Sequence, residues 1–304
     1  LPRFYRLRQH RVMMAGEFPP ELKAVFRAYE VQGNAWGLPA ETRGDWAAGL
    51  DVPVARSAAD LAGVDYLFYV GSAQSFDPRA QKVARAFVAI LRAAGVSFAI
   101  LGPREPTTGE CVRRLGNELL FAELADALLA TFDEFGVRRV VTCDPHAYNA
   151  LRNEYAGRGA GWGVLHHTQL IARLMAEGRI TAGRRFERIA FHDPCYLGRH
   201  NGEFAAPRRV LAQVAVDTPL EFALHGRRSM CCGAGGGRMW MEESLGTRIN
   251  QLRCEQALEL TPTVVATACP YCSLMLDDGL KALGADGRVA IRDVAELVAE
   301  ALQP

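Results

Sequence analysis

Five of the eight cysteines in this 304-residue chain form one pattern. Cys195 is followed after 35 residues by Cys231-Cys232-Gly233, and 36 residues separate Cys232 from Cys269-Pro270-Tyr271-Cys272. Thiolates are soft, strong donors, and a group of four or five selects an iron–sulfur cluster or zinc. Gly233, Gly235, Gly236 and Gly237 would remove side-chain bulk beside such a site. Their backbone amides can then approach sulfur, and hydrogen bonds of that kind tune a reduction potential. Zinc is the competing metal, since four thiolates suit it equally well. The bland reading is buried structural thiols, which rarely arise five at a time in such a pattern.

The remaining polar candidates are weaker. Cys111, Cys143 and Cys254 read as small buried apolar residues. His192 precedes Cys195 by three residues and is placed to hydrogen-bond a cluster sulfur, while Asp193 reads as a turn-shaping residue. His166-His167 reads as a helix start. The glycine run partly mimics a dinucleotide fingerprint, but it follows Cys-Cys rather than an apolar strand, and no later acidic ribose partner is evident. Neither a Ser-His-Asp arrangement nor an HExxH motif is apparent, so self-contained hydrolysis has no support. Arg208, Arg209, Arg227, Arg228 and Arg238 could face an acidic redox partner or simply lie in water.

The distant cysteines need elements that bring them together. From residue 65 the pattern alternates strand and helix. Tyr66–Val70, Ser97–Leu101 and Arg138–Thr142 read as strands, with helices over Arg79–Ala94, closed by Gly95, and Asn117–Phe135. The order returns with Ile189–His192, Leu220–Leu224 and Thr263–Thr267 as strands and Pro207–Val214 and Met241–Leu260 as helices. Such alternation predicts α/β layering with mostly parallel strands. The cysteines then lie at strand-to-helix turns along the carboxyl ends of the strands, where ligands bind in open sheets.

The two halves read as a repeat. Ser72 aligns with Cys195, Thr107 with Cys231, and Asp144-Pro145-His146-Ala147 with Cys269-Pro270-Tyr271-Cys272, at offsets of 123, 124 and 125 residues. The expected organisation is an irregular N-terminal arm over 1–60, with a short helix opening at Phe18-Pro19-Pro20. A degenerate module over 61–182 and a ligand-bearing module over 183–304 follow. The first module has Ser72, Thr107, Asp144 and Ala147 where the second has thiols. Cys111 and Cys143 lie nearby but out of register, so this module is expected to hold no cluster.

Composition excludes several classes. Hydrophobic residues make up 49% and charged residues 23%, the balance of a globular protein rather than a disordered or fibrous one. The net charge is +1, which gives no basic excess for nucleic acid. No run of eighteen apolar residues exists, so no membrane span is expected. The first residues carry no secretory signal.

The cysteine pattern resembles the cysteine-rich CCG domain of the B- and D-type subunits of heterodisulfide reductase and of glycolate oxidase and lactate-utilisation iron–sulfur proteins. That family usually carries two copies. His192-Asp193-Pro194-Cys195-Tyr196-Leu197-Gly198-Arg199, Cys231 to Gly237 and His166-His167-Thr168-Gln169 resemble it as well. Gly16 to Leu22 and Asn34 to Pro39 resemble the linker after the ferredoxin domain in membrane-associated flavoprotein:quinone-type members. The resemblance implies one [4Fe–4S] cluster on Cys195, Cys231, Cys232, Cys269 and Cys272. In the heterodisulfide reductase branch such clusters are noncubane. It also implies an electron-transfer oxidoreductase within a multi-subunit complex, relaying electrons from a flavoprotein or organic-acid dehydrogenase towards quinone. Ferredoxin-type or membrane subunits would be partners, and the place would be the cytoplasm, peripheral on the inner face of the membrane. Two alternatives remain: thiol or disulfide reduction at the cluster, and a zinc-stabilised or metal-free assembly scaffold.

Overall fold

A computed structural model describes residues 2–302. Two four-stranded sheets, every strand pair parallel, carry the fold. The first contains β1 (Tyr66–Phe68), β2 (Phe98–Ala99), β3 (Arg139–Thr142) and β4 (Gly163–His166), in the order β2-β1-β3-β4. The second contains β5 (Ile189–Phe191), β6 (Leu220–Glu221), β7 (Val264–Thr267) and β8 (Ala290–Asp293), in the order β6-β5-β7-β8. The same topology therefore occurs twice. Register repeats as well: Leu67 lies opposite Val140 in the first sheet, and Ala190 opposite Val265 in the second.

Local chemistry explains the principal elements. The Asp77 carboxylate accepts from the amides of Arg79 and Ala80, and Pro78 occupies the first turn, which starts the helix Pro78–Ala93. Its stripe Val83, Ala84, Phe87, Val88, Ile90 and Leu91 is buried. Gly95, at φ 62°, ends it. β7 reads Val-Val-Ala-Thr and is buried along its whole length, as parallel strands covered on both faces must be.

The structure departs from the sequence reading at several places. β4 and β8 each add a fourth strand that periodicity did not reveal. Both are edge strands of four residues, mixed in polarity and only partly buried. Of Met241–Leu260, only Ile249–Glu259 is helical. Gly246 turns the chain at φ 67°, and Leu245 projects into solvent at 88% exposure. Leu220–Leu224 shortens to a two-residue strand. The arm carries more helix than expected, over Pro2–Gln9 and Leu22–Gln32, with a 3-10 segment over Ala40–Ala47.

One hydrophobic core runs through both sheets' surroundings. Val83, Phe87 and Leu91 of the helix Pro78–Ala93 join Phe191, Leu211, Val294 and Val298 from the C-terminal half. Arg79 adds a forked ion pair to Glu296, at 2.9 and 2.7 Å, and donates to the carbonyl of Ile291. The chain crosses from one sheet to the other near Ala182, which bridges to Leu302.

Candidate metal centre

The five thiols come from three turns. After β5 the chain turns through His192-Asp193-Pro194 to Cys195. Asp193 holds this turn: it accepts two bonds from Arg208, at 2.7 and 2.8 Å, and one from the amide of Gly226. Arg208 is thereby committed inside the molecule rather than to a partner, and it also grips Glu221. After β6 a short 3-10 turn, Gly226–Arg228, leads to Cys231-Cys232. After β7, Cys269 heads the helix Pro270–Ala282, and Cys272 sits in its first turn. β5 lies between β6 and β7, so the three turns meet at the point where the strand order reverses, the crevice that open α/β sheets use for ligands.

The thiols form a contiguous chain. Cys195 contacts Cys231, which contacts Cys232. Cys232 and Cys272 are 3.3 Å apart, and Cys272 contacts Cys269. None is in a disulfide. Cys232, Cys269 and Cys272 are buried among Ala234, Met275 and the partly covered Met239 and Tyr271. The crowding splits their acidities. Hydrogen bonds from Cys195 and Cys232 hold Cys231 far below the usual thiol range, while the same contact pushes Cys195 up. Burial opposes ionisation of Cys269, but bonds with Cys272 and His146 draw it down to about 6. Thiolates crowded this closely repel one another unless a cation sits among them.

The backbone favours a large soft group here. Gly233 has φ +98°, and a Cβ there would come within 3.2 Å of Met275 Cε. Its amide donates to Cys231 Sγ at 3.3 Å. Gly237 also needs to be glycine: at φ +74° a Cβ would lie 2.3 Å from Leu115. Gly235 does not, because its Cβ direction is open. Five unpaired thiols, three of them buried and one aided by an amide donor, suit an iron–sulfur cluster or zinc.

His192 also approaches the thiols, its ring lying with Cys232 and Cys272 in one potential metal-binding group. Its Nδ1 accepts from Arg253 Nε at 3.1 Å. An arginine only donates, so the ring proton of neutral His192 sits on Nε2. Burial, and then the Arg253 charge, hold its pKa down at about 3, which keeps the ring neutral. His192 is thus set up as an N–H donor rather than a metal ligand. Sequence reasoning missed Arg253. The available signal was an arginine on the buried helix face of Asn250, Cys254 and Ala257. It is fully buried, lies over Phe222 at 3.6 Å, and leaves Nη2 without a partner.

The corresponding corner of the first sheet has no thiol set. Ser72, Thr107, Asp144 and Ala147 converge, as the repeat alignment requires, but they line a cavity of about 20 Å³, room for roughly one water. Cys143 and Cys254 are buried, Cys111 lines the cavity edge, and burial pushes Cys111 and Cys254 up to about 12. His166 caps the helix His167–Ala176, and His167 bonds Asp293 at 2.9 Å, so both serve structure. The arm closes over the glycine run. Arg8 donates to the carbonyls of Gly236 and Arg114, and Trp36 packs edge-on to Trp240 at 5.2 Å.

Comparison with known proteins fits this geometry. The cysteine-rich CCG domain matches twice, at residues 66–152 and 189–277, one match over each sheet. The chain is 42% identical over 301 residues to a probable iron–sulfur-binding oxidoreductase, FadF, of Bacillus subtilis; the match covers 97% of this chain and 43% of that protein. It is 38% identical to an EtfAB:quinone oxidoreductase of Syntrophomonas wolfei, over 100% of this chain and 44% of the relative. It is 31% identical to the D-type subunit of the dihydromethanophenazine:CoB–CoM heterodisulfide reductase of Methanosarcina barkeri, over 78% of this chain and 59% of the relative. The chain spans less than half the length of the first two relatives. With two matches covering more than half its residues, the chain belongs to the cysteine-rich CCG domain family, in a tandem arrangement.

Proposed function

We propose that this chain is the electron-relaying part of an iron–sulfur oxidoreductase and that Cys195, Cys231, Cys232, Cys269 and Cys272 hold one [4Fe–4S] cluster. The observation that carries this reading is the gathering of five unpaired thiols at one switch point, against the single thiol of Cys111 at the equivalent corner of the other sheet. When bound, the cluster supplies one-electron storage. The chain supplies its surroundings: thiolates at five positions, an amide at Gly233, an N–H at His192 and a buried cation at Arg253. A single site with a cavity of about 20 Å³ opposite it leaves little room for a thiol substrate, which favours relay over disulfide cleavage. The relatives' names support a flavoprotein donor and a quinone destination. No described helix is long and apolar enough to cross a membrane, so attachment would be peripheral or through another segment.

The test is iron, acid-labile sulfide and zinc per chain in anaerobically purified protein. About four irons and four sulfides, abolished in Cys231→Ser/Cys232→Ser, are expected. Stoichiometric zinc without iron would replace electron transfer by a structural role.

A further inference from the structure

The thiol site is covered unevenly. Cys232, Cys269 and Cys272 are buried, whereas Cys195 and Cys231 are each partly exposed. Two segments bracket that exposed edge. One leaves Cys195 through Arg199 and His200, with the His200 amide donating to the Cys195 carbonyl at 3.0 Å. The other, residues 224–230, leads into Cys231. The two are tied together. Arg199 donates to the carbonyl of Ser229, Ser229 Oγ donates to the carbonyl of Asp193 at 3.1 Å, and the Gly226 amide donates to the Asp193 carboxylate at 2.8 Å. Arg199, Arg227 and Arg228 are exposed on this rim. Among the described residues none of the three is in an ion pair, and the carboxylates nearby are engaged elsewhere. Asp193 and Glu221 are both held by Arg208, and Glu203 accepts from the amides of Ala205 and Ala206. Leu224, 38% exposed, adds an apolar edge to the same segment. Of the arginines singled out from the sequence, Arg208 is spent inside the molecule and Arg238 lies 3.7 Å from Glu243. Arg227 and Arg228 remain beside the thiols, and the fold adds Arg199.

We infer that this rim is the docking face for an acidic, freely diffusing electron-carrier protein, whose carboxylates seat on Arg199, Arg227 and Arg228. This rests on the electron-relay reading given above and adds the surface and the chemistry of the partner. Electron transfer weakens steeply with distance, so a carrier must seat where the thiol site is least covered, and that is the edge of Cys195 and Cys231. Three like charges without partners repel one another, and an anionic surface relieves them. Their place on a rim favours a transient partner over a permanent one. Rim charges act mainly on the rate of encounter, whereas a permanent interface has a larger apolar core depleted of charge. One exposed leucine beside three arginines is the former kind of surface. In each productive encounter the carrier is oxidised by one electron and the cluster is reduced by one, with no bond made or broken.

The test uses flavodoxin, an acidic flavoprotein that gives up single electrons, as the probe. Binding of oxidised flavodoxin is measured by titration calorimetry at low and high ionic strength. Reduction by its hydroquinone is then followed by stopped flow, with iron counted in every sample. R227E/R228E is compared with R138E/R139E, which makes the same charge change at the amino end of β3, the opposite end of the strands from the thiol-bearing turns. Expected is wild-type binding that weakens with salt, a loss of about tenfold or more in affinity and rate in R227E/R228E, and near wild-type behaviour in R138E/R139E. Iron-loaded wild type that does not bind, binding indifferent to salt, or equal losses in the two variants would each overturn the docking face alone. Should R227E/R228E shed its iron, R227Q/R228Q takes its place in the binding titration, and an unchanged affinity there overturns the inference. Wild-type protein without iron would overturn the relay reading, and this inference with it.

Discussion

Arg253 carries a charge in a place without solvent, and that has consequences for the thiols beside it. A buried cation is costly unless something nearby is anionic, and the groups that favour the Arg253 charge are Asp193 first, then Cys272 and Cys232. Arg253→Met should therefore shift the midpoint potential to more negative values, because an added electron loses a compensating charge; a redox titration checks this. Asp144 gives a pH-dependent counterpart. Burial raises its carboxyl to about 7 from 3.8. The folded state then holds a proton that the unfolded chain has released between those values, so stability falls as pH rises through that window. Each unit of separation is worth about 1.4 kcal/mol as an upper measure. Asp144→Asn keeps an N-cap for the helix Pro145–Asn149 and should be more stable than wild type at pH 8 in urea denaturation. The advantage should vanish below pH 4. An unchanged difference across that range would mean that Asp144 is ionised in the fold.

At the scale of elements, the glycine run after Cys232 behaves as a fitted strip rather than a flexible loop. Gly237 lies against Leu115 at positive φ, and Arg8 holds the carbonyl of Gly236. Gly237→Ala should cost about 1–3 kcal/mol through backbone strain and overlap, read as a lowered unfolding midpoint. Gly235→Ala faces open space and should stay within about 0.5 kcal/mol of wild type. Equal losses at the two positions would show that the strip does not seat on Leu115. The sequence made all four glycines look alike, because spacing alone does not reveal which Cβ direction is filled.

For the molecule as a whole, the helix Pro78–Ala93 belongs by sequence to the first module yet packs into a core shared with Phe191, Val294 and Val298. Removing residues 1–182 would strip that cover and leave Glu296 without Arg79. Residues 183–304 made alone should fail to unfold cooperatively in calorimetry and should bind the hydrophobic dye ANS, although all five clustered thiols are present. A sharp transition for this fragment would instead make the second module an independent domain. The first module, which lacks the thiol set, thus supplies core to the second.

The gathering of five cysteines, the alternating elements and the repeat were legible in the sequence, because thiol spacing, apolar runs and offsets of 123 to 125 are local properties of the chain. The matching strand orders and the convergence of Ser72, Thr107, Asp144 and Ala147 follow from that repeat. β4 and β8 escaped because short, half-exposed edge strands carry little periodicity. The proton position on His192 and the buried charge of Arg253 depended on tertiary structure alone. His192 and Arg253 are 61 residues apart. No local pattern specifies which distant polar groups will share a water-poor corner, since that is fixed only when both sheets pack on their common core.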